Sequence, residues 1–208
     1  MKWETSEQLD LGLDVRAFND RLTLTVDYFN KKTKDLITMN TPPLEAGNTA
    51  SPINGGNVTN KGFEFELGWR DKVGDLSYSV KANLATLKNE VTYLNPSITR
   101  LNGAKLQEWY ATAFEKGMPI WYFRGYKTKG IDPETGDVIF EDMNNDGVIN
   151  DDDKTMIGSG IPDFTYGATI NLEYKGFDFT LFATGQSGNE VLMGLFRTDR
   201  PTVNRFAC

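Results

Sequence analysis

Leu9-Asp10-Leu11-Gly12-Leu13-Asp14-Val15-Arg16-Ala17 puts an apolar side chain at every odd position and a charged residue or glycine at every even one. Successive side chains of a β-strand leave opposite faces, so this spacing means a strand with one apolar and one wet face. The rule repeats in Leu22, Leu24, Val26 and Tyr28, in Phe63, Phe65, Leu67 and Trp69, and in Leu76, Tyr78, Val80, Ala82 and Leu84. Near the end it returns in Phe164, Tyr166, Ala168, Ile170, Leu172 and Tyr174, then in Phe177, Phe179, Leu181 and Ala183. The mid-strand charges Asp10, Asp14, Arg16, Asp27, Glu64, Glu66, Lys81, Glu173 and Asp178 all fall on the polar face.

These stretches predict strands at about 7–18, 21–37, 61–70, 75–87, 164–175 and 177–186. Short turns join them in pairs, at Asn19-Asp20, over Arg70 to Asp75 with Asp71 and Gly74, and at Lys175-Gly176. Long connections, 38–60 and 88–163, lie between the pairs. In an up-and-down antiparallel sheet every second connection emerges at the same end, so short turns gather at one end and long loops at the other. Membrane β-barrels show this asymmetry. Leu9 to Ala17 spans about 30 Å at roughly 3.3 Å per residue. Tilted by about 40°, such a strand rises about 23 Å, near the ~25 Å apolar band of a barrel wall. Aromatic residues stand near strand ends, at Tyr28, Phe29, Trp69, Tyr174 and Phe177. A soluble β-sandwich whose apolar face is its core would carry the same alternation, so pattern alone leaves both readings open.

Composition narrows the classes. The chain has 208 residues, 39 per cent of them apolar, and no run of about 18 apolar residues that a transmembrane helix would need. Net charge is −7 without a basic cluster, which argues against nucleic acid. Histidine is absent, and with it the commonest general base and metal ligand. No Gly-x-Ser-x-Gly elbow is present, and the single cysteine, Cys208, can close no internal disulfide; an enzyme is not expected. The start, Met1-Lys2-Trp3-Glu4, shows no signal-peptide h-region, so the chain is expected to be cytoplasmic or a piece of something longer.

Within the long excursion, 103–116 (with Leu106, Trp109, Tyr110 and Phe114) predicts a short helix. Residues 121–127 and 138–141 predict a hairpin around Asp132-Pro133-Glu134-Thr135-Gly136, outside the main sheet. Trp109, Tyr110, Trp121, Tyr122 and Tyr126 are candidates for stacking on a ligand, with packing of the loop itself as the plainer use.

The run Asp142 to Asp153 matches a calcium loop. Asp142, Asn144, Asp146 and Asn150 fall at the first, third, fifth and ninth positions, and Gly147 takes the sharp turn. Val148 would offer its carbonyl, and Asp153 would close the site. Calcium wants several hard oxygens at about 2.3–2.6 Å, and alternate residues of a tight loop aim them at one centre. Aspartate replaces the usual closing glutamate, and the plainer reading is an Asx-rich surface turn. Any ion here is expected to fasten the loop, since Ile157-Gly158-Ser159-Gly160-Ile161-Pro162 suits extended chain and not an EF-hand helix.

The stretch from Asp142 through Asp153, Ile157-Gly158 and Pro162 to Tyr166-Gly167 resembles the SusC/RagA family of TonB-linked outer-membrane receptors. So do Leu22 to Ile37 (with Asp27-Tyr28-Phe29) and Asn57 to Leu67 (with Asn60-Lys61-Gly62-Phe63). The resemblance implies a barrel of about 22 strands around an internal plug, set in the outer membrane and importing oligosaccharides or peptides. It implies a SusD-type surface lipoprotein over the outer opening and TonB as energy source. The chain is then an all-β, antiparallel up-and-down segment of such a wall, late in the barrel, with long outer loops. It is a single segment over 1–208, with outer-membrane lipid against its apolar face. The competing expectation is a soluble extracellular β-sandwich module with one structural calcium.

Overall fold

The structure, a computed structural model, describes residues 1–40, 47, 51–103, 105, 106 and 109–192. Its strands in chain order are β1 (Thr5–Ala17), β2 (Leu22–Asn40), β3 (Ser51–Val73), β4 (Leu76–Thr86) and β5 (Lys88–Leu94). Then come β6 (Leu101–Asn102), β7 (Lys105–Leu106), β8 (Trp109–Tyr110), β9 (Thr112–Phe114) and β10 (Tyr122–Gly125). Last are β11 (Thr128–Ile131), β12 (Val138–Phe140), β13 (Thr155–Gly158), β14 (Phe164–Tyr174) and β15 (Phe177–Ser187). A 3-10 turn covers Asp151–Asp153, and no α-helix forms among the described residues.

The wall is one antiparallel sheet in the order β1-β2-β3-β4-β14-β15, an open, up-and-down segment. Its register lines up the apolar residues across every strand. Ala17 stands opposite Leu22, Leu22 opposite Trp69, Trp69 opposite Val80, Val80 opposite Ile170 and Ile170 opposite Leu181. One residue along, Arg16, Thr23, Gly68, Lys81, Thr169 and Phe182 form the matching row on the other face. A slip of one residue in any pair would send that strand's apolar set to the wrong side.

Tight turns fix the register at one end. Lys175 and Gly176 both take positive φ, 48° and 86°, as a two-residue type I′ hairpin demands. Gly74 at φ 63° starts the equivalent turn between β3 and β4. The β3 and β4 strands run to Val73 and Leu76, so the turn expected over Arg70 to Asp75 contracts to two residues.

No second sheet packs on the wall's apolar face among the described residues. Leu11, Leu13, Leu67, Phe179 and Leu181 are between 48% and 61% exposed. The core lies above the wall instead, where Val58 of β3 and Val91 and Leu94 of β5 pack with Ile98 and Phe114. β3 runs beyond the wall to reach this region, and β5 extends β4's place beside it: Lys61 stands opposite Lys88 as Glu64 stands opposite Ala85. The break between β4 and β5 is at Leu87, whose N–H donates to the Asp163 carbonyl at 2.8 Å. There the chain leaves for the outer excursion and comes back into β14. Gly62 lies beside this fork, and a Cβ on it would run into the Thr86 carbonyl.

Three sequence expectations change. The outer loop expected at 38–60 is largely strand, because β2 and β3 keep pairing up to Asn40 and Ser51; 41–46 and 48–50 lie outside the described residues. The helix expected over 103–116 is short strands, because β9 finds partners on both sides, β6 and β10, which satisfy its backbone and override the helical spacing. The hairpin expected from 121–127 and 138–141 is β11 with β12, while β10 joins a separate four-stranded sheet ordered β13-β10-β9-β6. Its turn is the expected one: Asp132 Oδ1 accepts from the Glu134 and Thr135 N–H groups, and Gly136 takes φ 76°.

Candidate functional site

Among the described residues the wall's polar face carries a set of hydrogen-bonded hydroxyl, amide and carboxylate side chains. Thr25 donates to Asp14 at 2.6 Å, Thr180 to Asn171 at 2.9 Å, and Asn171 to Ser79 at 3.2 Å. A shallow groove of about 330 Å³ runs across it, bordered by Thr25, Glu66, Gly68, Lys81, Thr169 and Phe182. Phe182 is the surprise, an aromatic 66% exposed on the polar face, directly after Leu181 of the apolar face.

The other face is girdled by rings. Tyr28 meets Phe63 at 5.1 Å, Phe164 meets Tyr166 at 6.2 Å, and Phe18 meets Trp69 at 6.0 Å at the short-turn end. In β14 the rings stand at its two ends, Phe164 and Tyr174, eleven residues inclusive. At roughly 3.3 Å per residue and a tilt of about 40° that is a rise of about 25 Å, the height of a barrel's apolar band.

The acidic loop is closed by its own hydrogen bonds. Asp142 Oδ2 accepts from Gly147 N–H at 2.7 Å, Asn144 Oδ1 from Asp146 N–H at 3.0 Å, and Asp146 Oδ1 from Val148 N–H at 2.8 Å. Asn150 caps the 3-10 turn by accepting from Asp152 N–H. Asp153 accepts from Met143 N–H with one oxygen and from Asn150 N–H with the other, both at 2.8 Å. Its carboxyl is held below the ordinary carboxylate range, first by the Asn150 N–H, against the opposing pull of burial, with the Met143 and Asn144 N–H groups and the Asp142 carboxyl adding to the effect. Asp153 is shielded from solvent by its own loop and not by a deep interior. Among the described residues no three acidic side chains are grouped as a metal site.

The same 3-10 turn points Asp151 the other way, into three cations. Its Oδ2 takes Arg100 and Arg124, each at 3.2 Å, and its Oδ1 takes Lys154 at 2.8 Å. Arg124 also donates to the Asp151 carbonyl at 2.6 Å. Lys154 leads in holding the Asp151 carboxyl below its ordinary value. Arg124 is 9% exposed, on the same face of β10 as buried Tyr122. Sequence reading missed this cluster, although an arginine in an apolar slot two residues from Tyr122 signals an anion nearby.

The aromatic candidates separate. Tyr122 is 2% exposed and donates to Glu115 at 2.7 Å, so it belongs to the packed interior and not to a ligand surface. Burial, with Glu115 beside it, pushes its phenol up to about 12. Trp121 is 40% exposed, tilted against Phe114 at 5.6 Å, and Tyr110 is 46% exposed. The Trp109 backbone pairs with Leu106 in β8 and β7, and its side chain lies outside the described part. Tyr126 packs on Phe140 at 5.2 Å, with Lys154 Nζ 5.1 Å from its ring centre.

Comparison with known proteins agrees with this geometry. The model of the TonB dependent receptor-like β-barrel family matches residues 1–189. TonB-dependent receptor P3 of Formosa agariphila is 35% identical over 212 residues, covering 92% of this chain and 21% of its own. TonB-dependent receptor SusC of Bacteroides thetaiotaomicron is 28% identical, covering 92% of this chain and 20% of its own. The RagAB peptide transporter superposes with a TM-score of 0.73 at 25% identity, over 88% of this chain and 20% of that one. The RagAB peptide importer in its open-open state superposes with a TM-score of 0.76 at 24% identity, over 91% of this chain and 21% of that one, a likeness of fold. The chain thus spans about a fifth of the length of the curated relatives it matches. With an open sheet, an uncovered apolar face and a family match along nearly its whole described length, this chain belongs to the TonB dependent receptor-like β-barrel family.

Proposed function

We propose that the chain is wall and outer loops of a TonB-dependent importer in the outer membrane, taking up oligosaccharides with a SusD-like surface lipoprotein and energy from TonB. One observation carries the reading: an in-register apolar face across six strands that no layer of the described residues covers, backed by a face of hydroxyls, amides and charges. Bilayer has no water to satisfy backbone groups, so only closed barrels and helices cross it. The bare edges of β1 and β15 therefore call for neighbouring strands of a longer protein. A soluble sandwich would need a second sheet on those leucines. The test is made in cells producing the full-length receptor. Cysteine at Ile149 should label from outside, and cysteine at Gly176 only after permeabilisation. Uptake of a labelled oligosaccharide should vanish with loss of the receptor or of TonB. Labelling at both positions in intact cells, or uptake indifferent to the receptor, would overturn the reading.

We further propose that the acidic loop takes calcium. The spacing of oxygen-bearing residues around the sharp turn at Gly147, φ 83°, supports this. Asp142, Asn144, Asp146, the Val148 carbonyl, Asn150 and Asp153 would hold the ion, which would neutralise the loop and lock its shape. Calcium titrated into the full-length receptor should bind, and Asp146→Ala should abolish most of that binding. Equal, weak binding by both would remove the site.

A further inference from the structure

We propose that the outer end of the wall binds the phosphate group of an anionic membrane lipid, in a notch where β3, β4 and β5 meet, with Lys61 and Lys32 as its cations. The site rests on reading the wall as a membrane barrel, and it adds the class of lipid that the wall selects. Register places it. Leu11, Tyr28 and Phe63 form one row on the apolar face, with the Tyr28 and Phe63 rings 5.1 Å apart. The next row toward the long loops is Leu9, Asn30, Lys61 and Lys88, and the one after it is Glu7, Lys32, Thr59 and Glu90. The apolar face therefore turns cationic directly beyond its aromatic girdle. Such girdles sit at headgroup level, so the partners a membrane offers these lysines are lipid phosphates. Lysine reaches them by laying its apolar stem along the face with its ammonium outward.

The charges do not close within the described residues. Lys34 pairs with Glu7 at 2.6 Å and Lys88 with Glu90 at 3.5 Å, while Lys32 and Lys61 form no ion pair among the described residues. Asp163 also lines the notch, but its side chain is packed toward Gly188 and pairs with neither lysine. Four lysines thus face three carboxylates. The notch, of about 400 Å³, is bordered by Tyr28, Lys61, Phe63, Thr86, Lys88 and Asp163. It exists because β4 breaks off at Leu87 and because Gly62 places no side chain there. Below it Phe65 and Leu84 stand opposite each other, both exposed, and lead toward the middle of the apolar band. Cations above and hydrocarbon-like surface below match the two ends of a lipid; a free anion would use only the first.

The full-length receptor in detergent, in ammonium acetate of fixed ionic strength, is titrated with dihexanoyl phosphatidic acid and with dihexanoyl phosphatidylcholine, whose choline offsets its phosphate. Native mass spectrometry counts the bound lipid. Phosphatidic acid should bind the more tightly. Lys32→Gln/Lys61→Gln, which robs no carboxylate of an ion-pair partner, should weaken that binding about fivefold for each lysine lost. Lys32→Arg/Lys61→Arg should keep it at the original strength. Equal binding of the two lipids, or phosphatidic acid binding unchanged in the glutamine variant, overturns the site. Displacement of the lipid by an equal concentration of inorganic phosphate overturns its lipid character. Oligosaccharide uptake by a receptor with no lipid preference would sink the site and keep import; lipid preference in a receptor that takes up nothing would do the reverse.

Discussion

Leu181 and Phe182 are neighbours on β15, both large, apolar and more than half exposed. Composition treats them alike, but the register does not. Leu181 continues the apolar row through Ile170 and Val80, while Phe182 continues the polar row through Thr169 and Lys81. β15 has 11 residues, and these two are its fifth and sixth. At a tilt of about 40° the strand rises about 25 Å, so in a bilayer both would stand close to its middle. Arginine at the midplane on the lipid face destabilises a barrel by about 2–4 kcal/mol, and a lumen substitution by little. Leu181→Arg should therefore lower the folded-to-unfolded ratio roughly 30- to 700-fold. Phe182→Arg should leave that ratio almost unchanged. The assay is urea unfolding of the full-length receptor in lipid vesicles, followed by tryptophan fluorescence. Equal losses, or a larger loss from Phe182→Arg, would refute the assignment of faces and the membrane-wall reading with it.

Tyr122→Phe should destabilise the outer region by about 1.5–3 kcal/mol, read as a lower melting temperature, because it removes a buried hydrogen bond to the Glu115 carboxylate. With its folded phenol raised from 10.0 to about 12, the stability that Tyr122 contributes is complete below pH 10 and is lost as pH rises toward 12; spectrophotometric titration should show a tyrosine step near pH 12 that Tyr122→Phe removes. Gly62→Ala should cost about 1–3 kcal/mol by forcing the strand fork apart, visible as faster amide exchange at Leu87. Asp153→Asn puts an amide N–H against backbone N–H donors, and should speed proteolytic cleavage within 142–153.

The wall was legible because a two-residue period needs no knowledge of partners: each strand announces its own faces. Only the lengths were short, since β2 and β3 continue past the apolar band, where Thr33 to Asn40 and Ser51 to Asn60 no longer alternate cleanly but still pair. The outer region was less readable because its strands are two to four residues long and exist only through their neighbours. Trp109, Tyr110 and Phe114 stand at helical spacing, and nothing local declares that β6 and β10 will flank β9. The cation cluster was hidden for the same reason: Arg100 and Asp151 are far apart in the chain and meet only after the sheet has formed. Phe182 was hidden by Leu181, because an aromatic next to an aliphatic looks like one apolar run until the partner strand tells their faces apart.

The two parts of the chain obey opposite burial rules, and that separates their energetics. The outer region buries its own core around Val91 and Phe114 and closes its polar groups internally, so water suffices as its solvent. Among the described residues the wall has cross-strand hydrogen bonds but no apolar layer over it, and the hydrophobic term that would hold it must come from outside these residues. Perturbations at Tyr122 or Asp153 should then be felt equally in any detergent or bilayer. Perturbations at Leu181 should grow or shrink with the hydrocarbon around them. The joints between the parts are few: β3 beside β5, Leu87 with Asp163, and Glu190 N–H with the Ser159 carbonyl at 2.7 Å. Destabilising the wall need not unfold the outer region, and a receptor whose wall fails to insert should still present a folded acidic loop over Asp142 to Asp153.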